Sequence, residues 1–220
     1  MDIHKMIIGI SIFIMTLLVT SCSGEGSAVL QDDTCKAPCW RNIEMGKTGI
    51  EQTIELLNQM PDIDPNSIRQ GKNPQTGVEG ISAGFLSDDS NLEIRFLNEE
   101  LVSIYFSFEK NISLADAIKK FGAPTFIYPT AISGDPFAYL TVDFWYPELG
   151  VCLHHANKKL IVTIPRKYRI NGGTNITQIY YVDPTLPQGQ LTYGCLFGGN
   201  ENEMDSIRQE WKGYAEYPIP

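Results

Sequence analysis

The chain has 220 residues, with 26 Asp and Glu against 17 Lys and Arg for a formal charge of −9, and it is 43% hydrophobic and 20% charged. This is the composition of a globular protein with ample length for a packed core. The acidic balance argues against nucleic acid and anionic headgroups as partners, because both need a positive field.

The chain opens with a basic spot at Lys5, offset by Asp2, and an apolar run from Met6 to Val19 that leads into Thr20, Ser21 and Cys22. A helix needs roughly 20 apolar residues to cross a bilayer, so this shorter run ending in small residues reads as the core of a signal peptide. Residues 19 to 22 resemble the lipobox of bacterial lipoproteins. The resemblance implies a signal peptide over 1–21, a lipid on Cys22, and membrane anchoring through several acyl chains where one would not suffice. Ser23, where an Asp would retain a lipoprotein at the inner membrane, is similar to an outer-membrane address in a two-membrane cell. No other uninterrupted apolar stretch approaches spanning length, so the body of the protein is expected outside the cytoplasm, in the cell envelope.

Residues 22–34 are short on large apolar side chains and read as a flexible tether. Then come Cys35, Pro38, Cys39, Trp40, Ile43, Gly46 and Thr48. Thr48 and Glu51 have the spacing of a capping box, and with Ile50, Ile54, Leu56 and Leu57 behind them a helix is expected over about 49–60, ended by Pro61. Short alternating runs follow at 78–86, 92–96 and 102–108, with turns at 87–91 and at Asn98, Glu99 and Glu100, which predicts an antiparallel meander. A second capping signal, Ser113 with Asp116, opens a helix with Leu114, Ala117, Ile118 and Phe121 on one face, stopped by Gly122 and Pro124. Strands are expected at 125–128, 139–146, 151–155, 160–164 and 176–182. After a loop around Cys195 and Gly198, the residues Met204, Ile207 and Trp211 predict a last helix ending at Gly213, covering a face or edge of the sheet.

If Cys22 carries lipid, Cys35, Cys39, Cys152 and Cys195 remain, an even number suited to two disulfides in an exported chain. Three connectivities are open. The turn available to Lys36, Ala37 and Pro38 favours Cys35 with Cys39, leaving Cys152 with Cys195.

Motifs that carry chemistry are sparse. Cys152 and His154 would share a strand face near His155, but structural roles are the simpler reading and no metal site is assigned. Asp62, Asp64 and Asn66 begin like a calcium loop, yet Ser67 and Asn73 stand where Gly and a closing Glu belong. Three residues separate Cys35 from Cys39, against the two of a thioredoxin-type redox pair. No nucleophile motif or phosphate loop is present, so no catalytic residue and no cofactor is assigned. Arg166, Lys167 and Arg169 read as a solvated strand end. Alternation puts Phe144 and Tyr146 on one face of a strand and Trp145 on the other, which leaves at least one large ring either exposed or covered by the terminal helix.

The opening Pro38, Cys39, Trp40, Ile43, Gly46 and Thr48 resembles that of a family of uncharacterised bacterial lipoproteins. The two helix phrases, Gly46 to Leu57 and Ser113 to Pro124, resemble those of the small lipoprotein of the outer-membrane β-barrel assembly machine, which shares with the β-lactamase-inhibitor proteins an architecture of helices on an antiparallel sheet. The resemblance covers two helix starts and a Gly-Pro turn, and it implies a fold and no functional residue.

The expectation is therefore an α+β fold with helices packed on antiparallel sheet, either one domain or two tandem helix-plus-sheet units over 35–110 and 111–220, the second including the C-terminal helix. The expected function is that of a lipid-anchored binding or envelope-assembly protein presenting a sheet surface to a protein or glycan partner. Such a reading predicts no buried polar constellation, and none is visible in the sequence. The alternatives are an extracytoplasmic hydrolase with a dispersed site, favoured if a pocket joins His154 to an acid, and a surface coat or spacer.

Overall fold

The structure is a computed structural model, and it describes residues 29–30, 32–86, 90–134, 137–161, 166–185 and 201–219. Cys22, the signal peptide, Cys195 and the turn at 87–89 lie outside these residues.

Helix α1 spans Ile50–Gln59 and α2 spans Leu114–Phe121. Each is amphipathic, and each buries its apolar stripe in the same core: Leu57 from α1, and Leu114 and Ala117 from α2. The Ser113 hydroxyl caps α2 by accepting from the Asp116 amide at 3.1 Å, while Gly122, at φ +82°, closes the helix in a backbone shape that a side chain would resist. The capping box expected for α1 does not form. Gly49 is the N-cap and makes no side-chain cap bond. The buried Thr48 hydroxyl accepts instead from the Glu44 amide at 2.8 Å, holding the loop that precedes the helix.

Among the described residues the strands make one nine-stranded antiparallel sheet and two small pairs, so the α+β expectation holds with β structure dominant. In chain order they are β1 (Cys39–Trp40), β2 (Ile43–Glu44), β3 (Arg69–Lys72), β4 (Glu79–Gly84), β5 (Asn91–Leu97), β6 (Glu100–Ser113), β7 (Phe126–Gly134), β8 (Phe137–Tyr146), β9 (Val151–Ile161), β10 (Lys167–Arg169), β11 (Asn175–Val182), β12 (Gln209–Glu210) and β13 (Glu216–Pro218). In space the large sheet runs β12-β7-β8-β9-β11-β6-β5-β4-β3. The expected turn at Asn98 and Glu99 is the two-residue hairpin between β5 and β6, with both residues at positive φ, 51° and 68°. Residues 160 and 161 continue β9 and do not begin a separate strand.

The chain ends differ from expectation. Val29 and Leu30, inside the stretch read as a tether, are buried in the main core. Asp33 pairs with Lys120 at 2.6 Å, and Lys120 also donates to the Asp32 carbonyl. Two apolar side chains followed by two acids are enough to dock this segment. The last helix, α3, spans Glu201–Ile207 and stops before Trp211. The chain then extends into β12 and pairs with the edge strand β7, so the edge is covered by a strand. Trp211 packs among Phe144, Tyr214 and Tyr217 at ring distances of 5.9–6.0 Å.

The β1–β2 hairpin inserts Trp40 and Ile43 into the core, both 0% exposed. Cys35 and Cys39 form a disulfide at its base. Arg41 clamps Asp62 through two bonds of 2.5 and 2.8 Å, which holds the Asp62 carboxyl below its usual range.

Candidate binding face

Alternation along the strands divides the sheet into two unlike faces. Leu92, Ile94 and Phe96 of β5, with Ile104, Phe106 and Phe108 of β6, point into the core beneath α1 and α2. Their neighbours Glu93, Arg95, Ser103, Tyr105 and Ser107 point the other way. The register lines these up across strands. One row joins Arg69, Ser82, Glu93, Tyr105, Tyr180 and Cys152, and the next joins Gly71, Gly80, Arg95 and Ser103.

Toward β7 this second face is covered. Met204 and Ile207 of α3 pack against a cluster of Tyr128, Trp145, Cys152, Tyr180 and Val182. Of the two outcomes that alternation left open for Trp145, exposed or covered by the terminal helix, the structure shows the second. Arg208 lies 5.0 Å from the Phe126 ring centre and pairs with Asp205 at 2.8 Å, fixing the end of α3. Toward β3 the face stays accessible: Arg69, Gly71 and Ser82 are exposed, and Glu93, Arg95, Tyr105, Ser107 and Gln178 are half-buried. Tyr105 and Tyr180 stack at 4.7 Å where the two halves meet, and the Tyr180 hydroxyl donates to Gln178 at 2.8 Å. Burial pushes both phenols above their usual pKa, so they act as neutral rings and hydroxyls.

Two polar arrangements overturn the expectation of no buried polar constellation. Asp143 on β8 and His154 on β9 are directly paired in register, with Oδ1 and Nδ1 2.5 Å apart and exposures of 5% and 6%. His155, on the opposite face, donates from Nδ1 to the Asn175 carbonyl at 2.6 Å, and its Nε2 accepts from the Tyr168 hydroxyl at 2.7 Å. Strand pairing created both contacts, and no local motif announces a partner 11 or 20 residues away. The Asp143–His154 pair is an acid beside a histidine, but both side chains are buried and neither lines the clefts described for the molecule.

Burial lowers the His155 pKa from its ordinary 6.5, with the neighbouring His154 charge adding to the effect and the Asn175 bond opposing it. A histidine held neutral contributes stability that is complete above 6.5 and is lost as pH falls through the lowered folded value. The unfolding free energy read from urea titrations should fall between about pH 8 and about pH 5, by about 1.4 kcal/mol for each unit of pKa depression. His155→Gln should flatten that part of the slope. An unchanged slope in the variant would remove His155 from the account.

The other candidate residues have structural partners. Asp62 pairs with Arg41, and Asp64 accepts from the Asn66 amide at 2.9 Å to cap a 3₁₀ turn, so neither forms a calcium loop. Cys152 is disulfide-bonded, to a partner outside the described residues. Among the described residues no group of three or more His, Cys, Asp or Glu could hold a metal. Lys167 and Arg169 lie exposed on β10, a short strand paired with β13. Sequence reasoning missed the open half of the face. Glu93 and Arg95 are legible as the polar partners of Leu92, Ile94 and Phe96, but β3 consists of Arg, Gln, Gly and Lys, all exposed, and carries no strand signal. Compared with known proteins, the chain matches no family model, no curated protein and no solved structure.

Proposed function

We propose that the protein is an exported lipoprotein, anchored through lipid on Cys22 to the extracytoplasmic side of a bacterial membrane, with a non-enzymatic binding or envelope-assembly role. In a two-membrane cell the membrane is the outer one. The observation that carries the binding role is the asymmetry of the sheet. One face is spent on the core, while the half of the other face nearest β3 presents Arg69, Ser82, Glu93, Arg95 and Tyr105. Residues 35–110 and 111–220 form, on this reading, two helix-plus-sheet units. Its support is the strand order: after α1 the strands β3 to β6 come inward from one side, after α2 the strands β7, β8, β9 and β11 come inward from the other, and β6 pairs with β11.

Two measurements test the proposal. Labelled palmitate should enter the protein, processing should stop with globomycin, and Cys22→Ser should abolish both; unchanged processing in that variant sinks the anchor. A photo-crosslinking residue at Ser107 should give an adduct with an envelope protein or glycan that the same residue at Gln52, exposed on α1, does not give. No adduct at Ser107 would favour a coat or spacer instead.

A further inference from the structure

At the β3 end of the open face lies a cleft of about 450 Å³, lined among others by Arg69, Gly71, Gly80, Ser82, Glu93 and Arg95. We propose that this cleft binds one carboxylate-bearing sugar unit of an acidic glycan. The inference deepens the binding role proposed above and rests on it.

The floor of the cleft is the first reason. Gly71 and Gly80 stand directly opposite each other in the β3–β4 register. Glycine weakens a strand interior, because it loses more conformational freedom on folding and offers no side chain to pack. Neither residue has the positive φ that would call for glycine. Space does not call for it either: a Cβ on Gly71 would meet nothing within 4 Å, and one on Gly80 would meet only the Ile94 carbonyl at 3.8 Å, an ordinary contact. What the pair does provide is a patch of bare backbone where a flat ring can approach the sheet closely.

The charged walls are the second reason. The chain carries a net charge of −9, yet the lining of this cleft holds two arginines against one glutamate. Glu93 grips Arg95 through Nε at 2.9 Å and Nη2 at 3.2 Å, which fixes the plane of its guanidinium beside the glycine floor. Arg69, which also lines the cleft, donates from Nη1 to the Asn66 and Ile68 carbonyls at 2.7 and 2.8 Å, and its Nε and Nη2 make no bond among the described residues. One excess positive charge suits one carboxylate, and a guanidinium fork suits its geometry. The exposed hydroxyl of Ser82 and the Thr76 side chain complete a rim of the kind that meets sugar hydroxyls. A peptide of glutamates would use the arginines but has no hydroxyls for that rim.

The test is calorimetric titration of the full chain in detergent with a short galacturonate oligomer, its methyl ester and a short glutamate peptide. Galacturonate should bind, and the ester should bind about tenfold more weakly, as should galacturonate to Arg69→Gln. Raised salt should weaken binding. Gly80→Val should abolish binding with an equal or higher Tm, since it fills the floor and improves the strand; Gly80→Ala, the smaller change, should weaken binding with the fold intact. No binding to wild type, unchanged binding by Gly80→Val, or equal binding of the glutamate peptide overturns the proposal. The Ser107 crosslink separates the two readings. An adduct there with no galacturonate binding ends the acidic-sugar assignment alone, and loss of both ends the binding face.

Discussion

Replacing Trp40 with alanine is expected to destabilise the protein by about 3–5 kcal/mol, the range for emptying an aromatic site in a core. Trp40 is 0% exposed and sits edge-on to Phe106 at 4.9 Å and to Phe85 at 6.5 Å, with Arg41 5.0 Å from its ring centre on the outer side. It comes from a two-residue strand, so the hairpin itself contributes little, and docking depends on this ring, on Ile43 and on the Arg41–Asp62 clamp. The indole N–H is buried and has no hydrogen-bond partner among the described residues. An orphaned donor costs about 1–3 kcal/mol, so Trp40→Phe, which removes it along with some volume, should cost far less than Trp40→Ala. Urea unfolding at constant m reads both. If the alanine variant lies within about 1 kcal/mol of wild type, the hairpin is not docked. If phenylalanine costs as much as alanine, the N–H has a partner.

Breaking the Asp143–His154 pair should be comparably severe. Removing one member of a buried pair costs about 3–5 kcal/mol because the other is left uncompensated, whereas replacing both with apolar groups of similar size is often neutral. Asp143→Leu and His154→Phe are each expected in that range, and the double variant should be more stable than either single one, giving a large coupling in a double-mutant cycle. Two singles costing under about 1 kcal/mol each would mean that the pair is not closed as described. The same variants bear on chemistry. Because both groups are only 5–6% exposed, the double variant should retain the palmitate labelling and the Ser107 adduct. A hydrolytic activity that vanished with the His154 substitution while these persisted would move the protein to the enzyme reading.

Helices α1 and α2 are legible because their information is local. Apolar spacing at 3.6 residues, a serine at 113 and a glycine at 122 act within one turn of where they stand. The hairpin at Asn98 and Glu99 is legible for the same reason. The Thr48 cap misled because two donors compete for that hydroxyl, the helix amide and the Glu44 amide, and the folded loop decides between them. Trp211 misled because its spacing from Ile207 fits a helix, while an open edge at β7 offered the backbone of Gln209 and Glu210 a ladder to join. Strand β3 was invisible because an exposed edge strand needs no apolar alternation.

By itself the sequence determined the amphipathic helices, the alternating strands, the turns between them and the acidic, cysteine-bearing character of the body, since each depends on neighbours a few residues apart. Only the tertiary structure decided which strands lie side by side. That choice put Asp143 against His154, Gly71 against Gly80 and Tyr105 against Tyr180. Strand register is set by burying one face of the sheet in a shared core, a collective requirement that no local window contains. The side chains on the opposite face are brought together as its consequence, and the binding face proposed for this protein is made of them.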